Sequence, residues 1–142
     1  MNIYDATRQI IKTACPNVAD ADIFHRFMNY TPERAAEINE KPLIEFDYSS
    51  KAEISSHSGR SGIIKAELSI NVLGSLEKIN LLADAISLTF NGQRIVQSNF
   101  EFTLIEKMVS DQIETSINAR RISMSFAGII IVSPESENGG SV

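Results

Sequence analysis

The chain has few of the residues that mark several classes of protein. It contains one cysteine, Cys15, and no tryptophan in 142 residues. A single cysteine excludes an intrachain disulfide and a cysteine-based metal cluster, and it favours a reducing compartment. No apolar run approaches the ~20 residues that a membrane-spanning helix needs. The first fifteen residues carry charges within their apolar pattern, unlike a signal peptide. These absences predict a soluble, cytosolic protein with no membrane partner.

Positive charge is also scarce. Thirteen lysines and arginines are scattered among eighteen acidic residues, which gives a net charge of −5. Proteins that wrap nucleic acid need clustered Lys and Arg to neutralise phosphates, so this balance argues against that class. A chain of this length, 43% hydrophobic, fits one core. We therefore expect a single domain over residues 1–134 and a C-terminal tail of linker composition over 135–142.

The stretch from Ile63 to Gly92 dominates the pattern. Its first part alternates apolar and polar residues, which is the period of a half-buried strand. Its second part changes to helical spacing, with Ser75 as a candidate N-cap and Asn91-Gly92 as a stop signal. A strand that feeds an amphipathic helix is most simply packed with the helix across its own sheet. The predicted core positions are Ile64, Ala66, Leu68, Ile70 and Val72 in the strand and Ile79, Leu82, Ala83, Ile86 and Phe90 in the helix.

The remaining elements follow from the same periods and from Pro, Gly and Ser punctuation. The predicted helices are 2–15, a weaker pattern over 17–30, and a short helix opened by Thr31-Pro32-Glu33. The predicted strands and turns are a strand over 43–48, a polar arm over 49–62, strands within 93–108, a polar turn over 110–116, and a strand over 121–132 whose end is covered on both faces. The fold class is α+β: N-terminal helices, a β-hairpin, an amphipathic helix and a second β-hairpin form one mainly antiparallel sheet packed by helices.

Two histidines invite catalytic or metal-binding interpretations. His25 lies near Asp20 and Asp22, but a metal site usually needs three or four convergent ligands, so capping and packing are favoured. His57 lies among serines, but nucleophilic catalysis needs a buried acid and a rigid oxyanion hole, which a Ser-Gly loop does not supply. Cys15 reads as a small packed residue, because only Lys12 is near enough in sequence to lower its pKa. We expect no catalytic residue, no metal site and no cofactor.

Two basic segments remain as candidate contacts. The pattern S-G-R-S-G, ending at Gly62, precedes a strand and not a helix N-terminus, so it is a weak phosphate cradle. Arg120-Arg121 opens the last strand and can bind phosphate or a carboxylate of a neighbour, while a solvated strand end explains it equally well. The acidic balance favours a protein partner over DNA.

The order of the elements carries a resemblance. A strand A-E-L-S-I-N-V-L-G leads into L-E-K-I-N-L-L-A-D-A-I-S-L-T-F-N-G, then an aromatic-rich strand and A-R-R-I-S-M-S-F-A-G-I-I-I-V. Together with an N-terminal helix beginning N-I-Y-D-A, this order resembles the tail terminator (tail completion) proteins of long-tailed bacteriophages over about residues 1–132. The segments 17–40 and 49–62 match least well.

The resemblance implies a structural virion protein and not an enzyme. It implies a homo-oligomer, a hexameric ring, that caps the tail tube and joins it to the head-side connector, with DNA passing through the lumen without sequence-specific binding. Its partners are then the tail tube protein and the connector protein, and its place is the tail-neck junction of a virion assembled in the host cytoplasm. The expected interface residues are Ser56, His57, Ser58, Gly59, Arg60, Arg120 and Arg121.

Elementary arguments agree with a ring. An open edge of a four- or five-stranded sheet can pair with a neighbour, and a heterologous contact repeated cyclically closes a ring. Six copies at −5 give about −30, which repels DNA phosphates in a lumen. Two other classes stay open: a small ligand-binding or enzymatic α+β dimer with a pocket between helix 75–91 and the sheet, and an adaptor that binds peptides at a sheet edge.

Overall fold

In the computed structural model, residues 2–26, 31–57, 61–114 and 119–133 are described, and they form three α-helices and six strands. The helices are α1 (Ile3–Ala14), α2 (Pro32–Glu37) and α3 (Leu76–Phe90). The strands are β1 (Ile23–His25), β2 (Leu43–His57), β3 (Ser61–Gly74), β4 (Arg94–Gln97), β5 (Phe100–Glu114) and β6 (Ala119–Val132). One sheet contains all six in the order β1-β2-β3-β6-β5-β4, and every pairing is antiparallel except β1 with β2. The predicted α+β class is confirmed.

The two long helices form where their sequences predict. The Asn2 side chain caps α1 by accepting a hydrogen bond from the amide of Asp5 at 2.8 Å, and the helix ends before Pro16. Ser75 occupies the N-cap position of α3, but its side chain makes no capping hydrogen bond. Thr31 does cap α2, because its hydroxyl accepts from the amide of Arg34 at 3.2 Å.

Both long helices lie on one face of the sheet and enclose the core. Helix α3 packs on β3, β5 and β6, and α1 packs against α3 and β1. The alternation in β3 is confirmed, since Leu68, Ile70 and Val72 are fully buried on this face. We call it the helix face, and the opposite side the outer face. The remaining buried side chains at the α3 contact are Ile79, Ala83, Ile86, Phe90, Phe102, Met124, Phe126 and Ile130.

A buried hydrogen bond joins α1 to β2. The hydroxyls of Thr7 and Tyr48 are 2.7 Å apart, and Thr7 also donates to the carbonyl of Ile3 at 2.7 Å. Tyr48 must then donate to Thr7. Burial raises the pKa of the Tyr48 phenol well above its usual range, so the hydroxyl stays protonated as this bond requires.

Two substitutions test this bond. Tyr48→Phe removes the donor and leaves Thr7 bonded to Ile3, so we expect a loss of about 1 kcal/mol in the free energy of unfolding. Thr7→Val leaves the Tyr48 hydroxyl buried without its partner, so the loss should be about 2 kcal/mol. Urea denaturation of both variants measures the two losses in the free energy of unfolding. A larger loss for Tyr48→Phe than for Thr7→Val would contradict this prediction.

Three predictions made from the sequence for these elements were wrong. The weak helix over 17–30 is replaced by a 3₁₀ turn at Asp20–Asp22 and by β1, because Ile23–His25 pairs in parallel with β2. Sheet pairing overrides a weak helical period here. The turn over 110–116 is wrong as far as Glu114, since β5 continues to that residue. The segments 27–30 and 115–118 lie outside the described residues.

The third correction concerns the end of β6. We expected Ile129 to Val132 to be covered on both faces, but Ile129 on the outer face is 37% exposed. Its neighbour Ile130 is fully buried on the helix face. At Ile129 and Ile130, the described helices therefore cover one face of this strand.

Candidate functional site

The groups singled out for chemistry do not converge. His25 stacks on Tyr4, with ring centroids 3.9 Å apart, and its Nε2 lies 3.3 Å from Asp47. The Asp22 carboxylate points elsewhere, to Arg34 at 3.1 Å and Lys41 at 3.6 Å. Among the described residues, no group of three or more His, Cys, Asp or Glu side chains could hold a metal ion. His25 is thus a packed residue beside β2, as the sequence analysis favoured.

Cys15 is a buried core residue, as expected. Its side chain is 2% exposed, and burial raises the pKa of the thiol to about 11, only partly offset by Lys12. Such a thiol is neutral and shielded at neutral pH, which removes the basis for a nucleophilic role.

The Cys15 environment gives a pH prediction. The pKa is about 11 in the folded protein against 9.0 in the unfolded chain, so the unfolded state loses its proton first. The contribution of the Cys15 thiol to the free energy of unfolding is fully present below pH 9 and is lost as the pH rises towards 11. At pH 8 we expect the native thiol to react with a thiol reagent at least ~100-fold more slowly than in urea. Equal rates in the folded and the unfolded protein would contradict this burial.

The predicted polar arm is largely part of the sheet. Residues Lys51 to Ser55 pair with β3, as expected for an extended hairpin. However, β6 pairs with β3 on its other side as far as Gly62, opposite Val132. Only the end of the β2–β3 hairpin, beyond the paired residues Ser56 and Gly62, extends past the last described pair between β3 and β6. Most of the polar arm predicted over 49–62 is therefore held in the sheet, and only its end passes β6.

The predicted interface residues fall in different places. Ser56 and His57 end β2, with backbones paired to Gly62 and Ser61, and their side chains lie outside the described part. Ser58, Gly59 and Arg60 lie outside the described residues entirely. The structure brings none of these residues into a described contact with Arg120 or Arg121.

Arg120 and Arg121 project from opposite faces of β6. Arg120 donates two hydrogen bonds to Asp111 of its own chain, from Nε to Oδ1 at 3.2 Å and from Nη2 to Oδ2 at 2.8 Å. This bidentate pair joins β6 to β5 on the helix face. Arg121 stands on the outer face in register with Gln112. Arg120 and Arg121 therefore do not bind one phosphate or carboxylate together.

The strand edges are the surfaces that the sequence analysis located least well. Strand β4 pairs only with Phe100 to Thr103 of β5. The end of α3 adds a short contact, in which the Gly92 amide donates to the Leu104 carbonyl at 2.8 Å and the Glu106 amide donates to Asn91 Oδ1 at 2.9 Å. From Met108 to Glu114, no described strand pairs with β5 on the side away from β6. We call this segment the β5 edge.

A second open edge lies on the opposite side of the sheet. Strand β1 pairs only with Ile44 to Phe46 of β2, and the Arg26 amide makes the last bond, to the Phe46 carbonyl, at 2.7 Å. Arg26, the last described residue of this segment, has φ +88. Among the described strands, only β3 flanks residues Asp47–His57. We call this segment the β2 edge.

Apolar side chains mark the β5 edge. Met108, Val109 and Ile113 are 63%, 51% and 66% exposed, on a strand whose first half buries Phe100, Phe102 and Leu104. Val109 and Ile113 lie on the helix face beyond the reach of α3, and Met108 lies on the outer face. The sequence S-D-Q-I-E after Val109 contains no Gly or Pro, and this was the signal against a turn.

The pocket expected of a ligand-binding protein is filled in this fold. The contact between α3 and the sheet is occupied by fully buried side chains, including Ile79, Ile86 and Phe90. Two open depressions lie elsewhere. One of about 540 Å³ lies on the outer face of β3 and β6, and one of about 470 Å³ lies beside α1. Within the described part of the chain, no helix is both long and apolar enough to cross a membrane.

The fold has a counterpart among solved structures. No protein-family model matches the chain, and no curated protein matches it. A chain from a structure described as the virion of a native gene transfer agent (GTA) particle is similar, with a TM-score of 0.57 and 13% sequence identity. The similarity covers 91% of this chain and 97% of that chain. At this identity, what the two chains share is the fold.

Proposed function

We propose that this protein is a structural component of a phage-like virion, which forms a ring that caps the tail tube and joins it to the head-side connector. The observation that carries the proposal is the match to a chain of a virion particle over nearly the full length of both chains. The order of elements that resembles tail terminators supports the same role. In this role the protein assembles with other virion proteins and catalyses no reaction.

The surface of the protomer supports an assembling protein. In the described part of the chain, residues Met108 to Glu114 of β5 pair with β6 on one side only, and an edge strand left open in this way can pair with another chain. Six copies at −5 would give a ring of about −30, which disfavours tight binding of DNA that passes through it. The stoichiometry of six comes from the resemblance alone.

The experiment is imaging of the purified protein by negative stain, alone and with purified tail tubes, together with native mass spectrometry. The expected result is a closed ring of copies, seen free or at one end of the tube. A protein that remains a monomer or dimer with tubes present would contradict the proposal. It would favour the adaptor alternative if peptides bind at the sheet edge.

The tip of the β2–β3 hairpin gives a separate prediction. Replacing residues 56–62 by Asn-Gly leaves the pair Ser55 and Ile63 to be closed by a two-residue hairpin turn. We expect the free energy of unfolding to change by less than about 1 kcal/mol, because Gly62 is the one described residue in the replaced segment that pairs with β6. Ring formation or tube capping should weaken about tenfold, measured by sedimentation and by counting capped tubes. Unchanged assembly would remove the tip from the interface.

A further inference from the structure

We propose that the β5 edge of one copy binds the β2 edge of a second copy, so that the sheet continues from protomer to protomer. This inference rests on the proposed ring and names the contact that builds it. The two edges are the open sides of one sheet in the order β1-β2-β3-β6-β5-β4.

The β5 edge lacks the features that protect natural edge strands. Such strands usually carry Lys, Pro, a bulge or a covering loop that prevents pairing with another chain. Here the bulge between Glu106 and Met108 and the side chain of Lys107 come before the edge begins. From Met108 to Glu114 there is no Lys and no Pro. The backbone amides and carbonyls of this segment that do not bond to β6 have no described strand opposite them, so they can pair with an added strand.

The β2 edge is long enough to be that strand. At ~3.3 Å per residue, the β5 edge spans ~23 Å and the β2 edge, with eleven residues, spans ~36 Å. Bulges at Tyr48/Ser50 and Glu53/Ser55 bend β2, so pairing over part of its length is expected.

Side chains on the helix face match the two edges chemically. Beside the β2 edge stands the half-buried Tyr4 ring, with the Lys51 ammonium 5.1 Å from its centroid. Beside the β5 edge stand Val109, Ile113 and, between them, the carboxylate of Asp111. When the two edges lie side by side, Val109 and Ile113 can pack on the Tyr4 ring while Lys51 approaches Asp111. Lys51 is the positive charge of the β2 edge, whereas two β5 edges would bring their acidic residues Asp111 and Glu114 together, which favours pairing of β5 with β2 over pairing of β5 with β5.

The symmetry of the contact agrees with a ring. Pairing of unlike edges is heterologous, so each copy keeps one free edge of each kind until the ring closes. Pairing of β5 with its own equivalent is isologous and stops at a dimer. A second copy bound through β2 is therefore the occupant consistent with a closed ring.

Cross-linking of single-cysteine variants tests the pairing directly. Ser49→Cys places a thiol on the outer face of the β2 edge, where the Ser49 hydroxyl bonds Glu67, and Gln112→Cys places one on the outer face of the β5 edge. Both full-length variants are treated with a short bismaleimide, separately and mixed, with tail tubes present. Native Cys15 is buried and serves as an internal unreactive thiol. The control is Leu81→Cys mixed with Ser49→Cys, because Leu81 is 72% exposed on α3, away from both edges.

The expected result is a cross-linked dimer in the Ser49→Cys and Gln112→Cys mixture, at least about tenfold above either variant alone and above the control. A dimer of equal yield from Gln112→Cys alone would overturn the inference in favour of isologous pairing. Rings without the cross-link would overturn the inference and leave the proposed function standing. Cross-linked chains that never close into rings or cap tubes would contradict the proposed function and support the edge pairing. The absence of both would overturn both.

Discussion

Gly128→Ala is expected to destabilise the protein by about 3 kcal/mol, although alanine is ordinarily the better residue in a strand. A Cβ added at Gly128 would lie 2.2 Å from the Thr103 carbonyl oxygen and 3.0 Å from the Leu104 Cα. Both atoms belong to the backbone of β5, so no rotation of a side chain relieves the contact. Strand β5 would have to move away from β6, where Leu104 pairs with Gly128.

The cost is large because this part of β5 is in the core. Phe102 is fully buried and Leu104 is 1% exposed, and both would shift with the backbone. Close-packed interiors respond to such shifts with strain and lost contacts. Against a typical total of 5–15 kcal/mol, about 3 kcal/mol is a large fraction of the stability. Gly128→Val should leave little folded protein.

Gly92→Ala is the matched control. Gly92 has φ +71, so alanine there is strained, but an added Cβ would meet nothing within 4 Å. We expect a loss of about 1 kcal/mol from the backbone conformation alone. Urea denaturation of the two variants separates steric conflict from conformational strain. A Gly128→Ala variant as stable as Gly92→Ala would show that β5 and β6 separate easily.

The sequence was sufficient for the elements whose burial is decided locally. Helix α1, helix α3 and the alternating strand β3 follow from periodicity, because each presents one apolar face to a single core. The aromatic strand was located by Phe100 and Phe102, which are both buried. These patterns depend on spacing along the chain and not on knowledge of the partner.

The errors lie where a distant partner decides the structure. Ile23–His25 becomes a strand because β2 offers an edge there, and no local signal in a three-residue segment announces that pairing. Residues 110–114 stay extended because they pair with Ala119 to Ser123 of β6. The polar run after Tyr48 looked like a loose arm, yet it is held by β3.

The candidate site was harder to predict than the fold for the same reason. An open edge is a property of strand order, and the sequence does not state which strand lies beside β5. The tip residues and the Arg120-Arg121 pair were chosen for their chemistry. The edge is instead recognised by exposed apolar side chains on a strand that lacks protection.

Val109→Lys with Ile113→Lys is expected to lower ring formation at least about 100-fold while leaving the protomer folded. Both side chains are more than half exposed, at 51% and 66%, so the free energy of unfolding should change by less than about 1 kcal/mol. Lysine on an edge strand opposes the addition of another strand. The new ammonium groups would also face Lys51 of the incoming copy, which adds repulsion between like charges.

Leu81→Lys with Leu88→Lys is the control for that loss. These leucines are 72% and 79% exposed on α3, so the control removes as much exposed apolar surface and adds the same charge away from both edges. Native mass spectrometry and sedimentation, with and without tail tubes, measure assembly, and urea denaturation measures stability. If apolar surface in general drives assembly, both double variants fail equally. If the β5 edge builds the ring, only Val109→Lys with Ile113→Lys fails, and it does so with an intact fold.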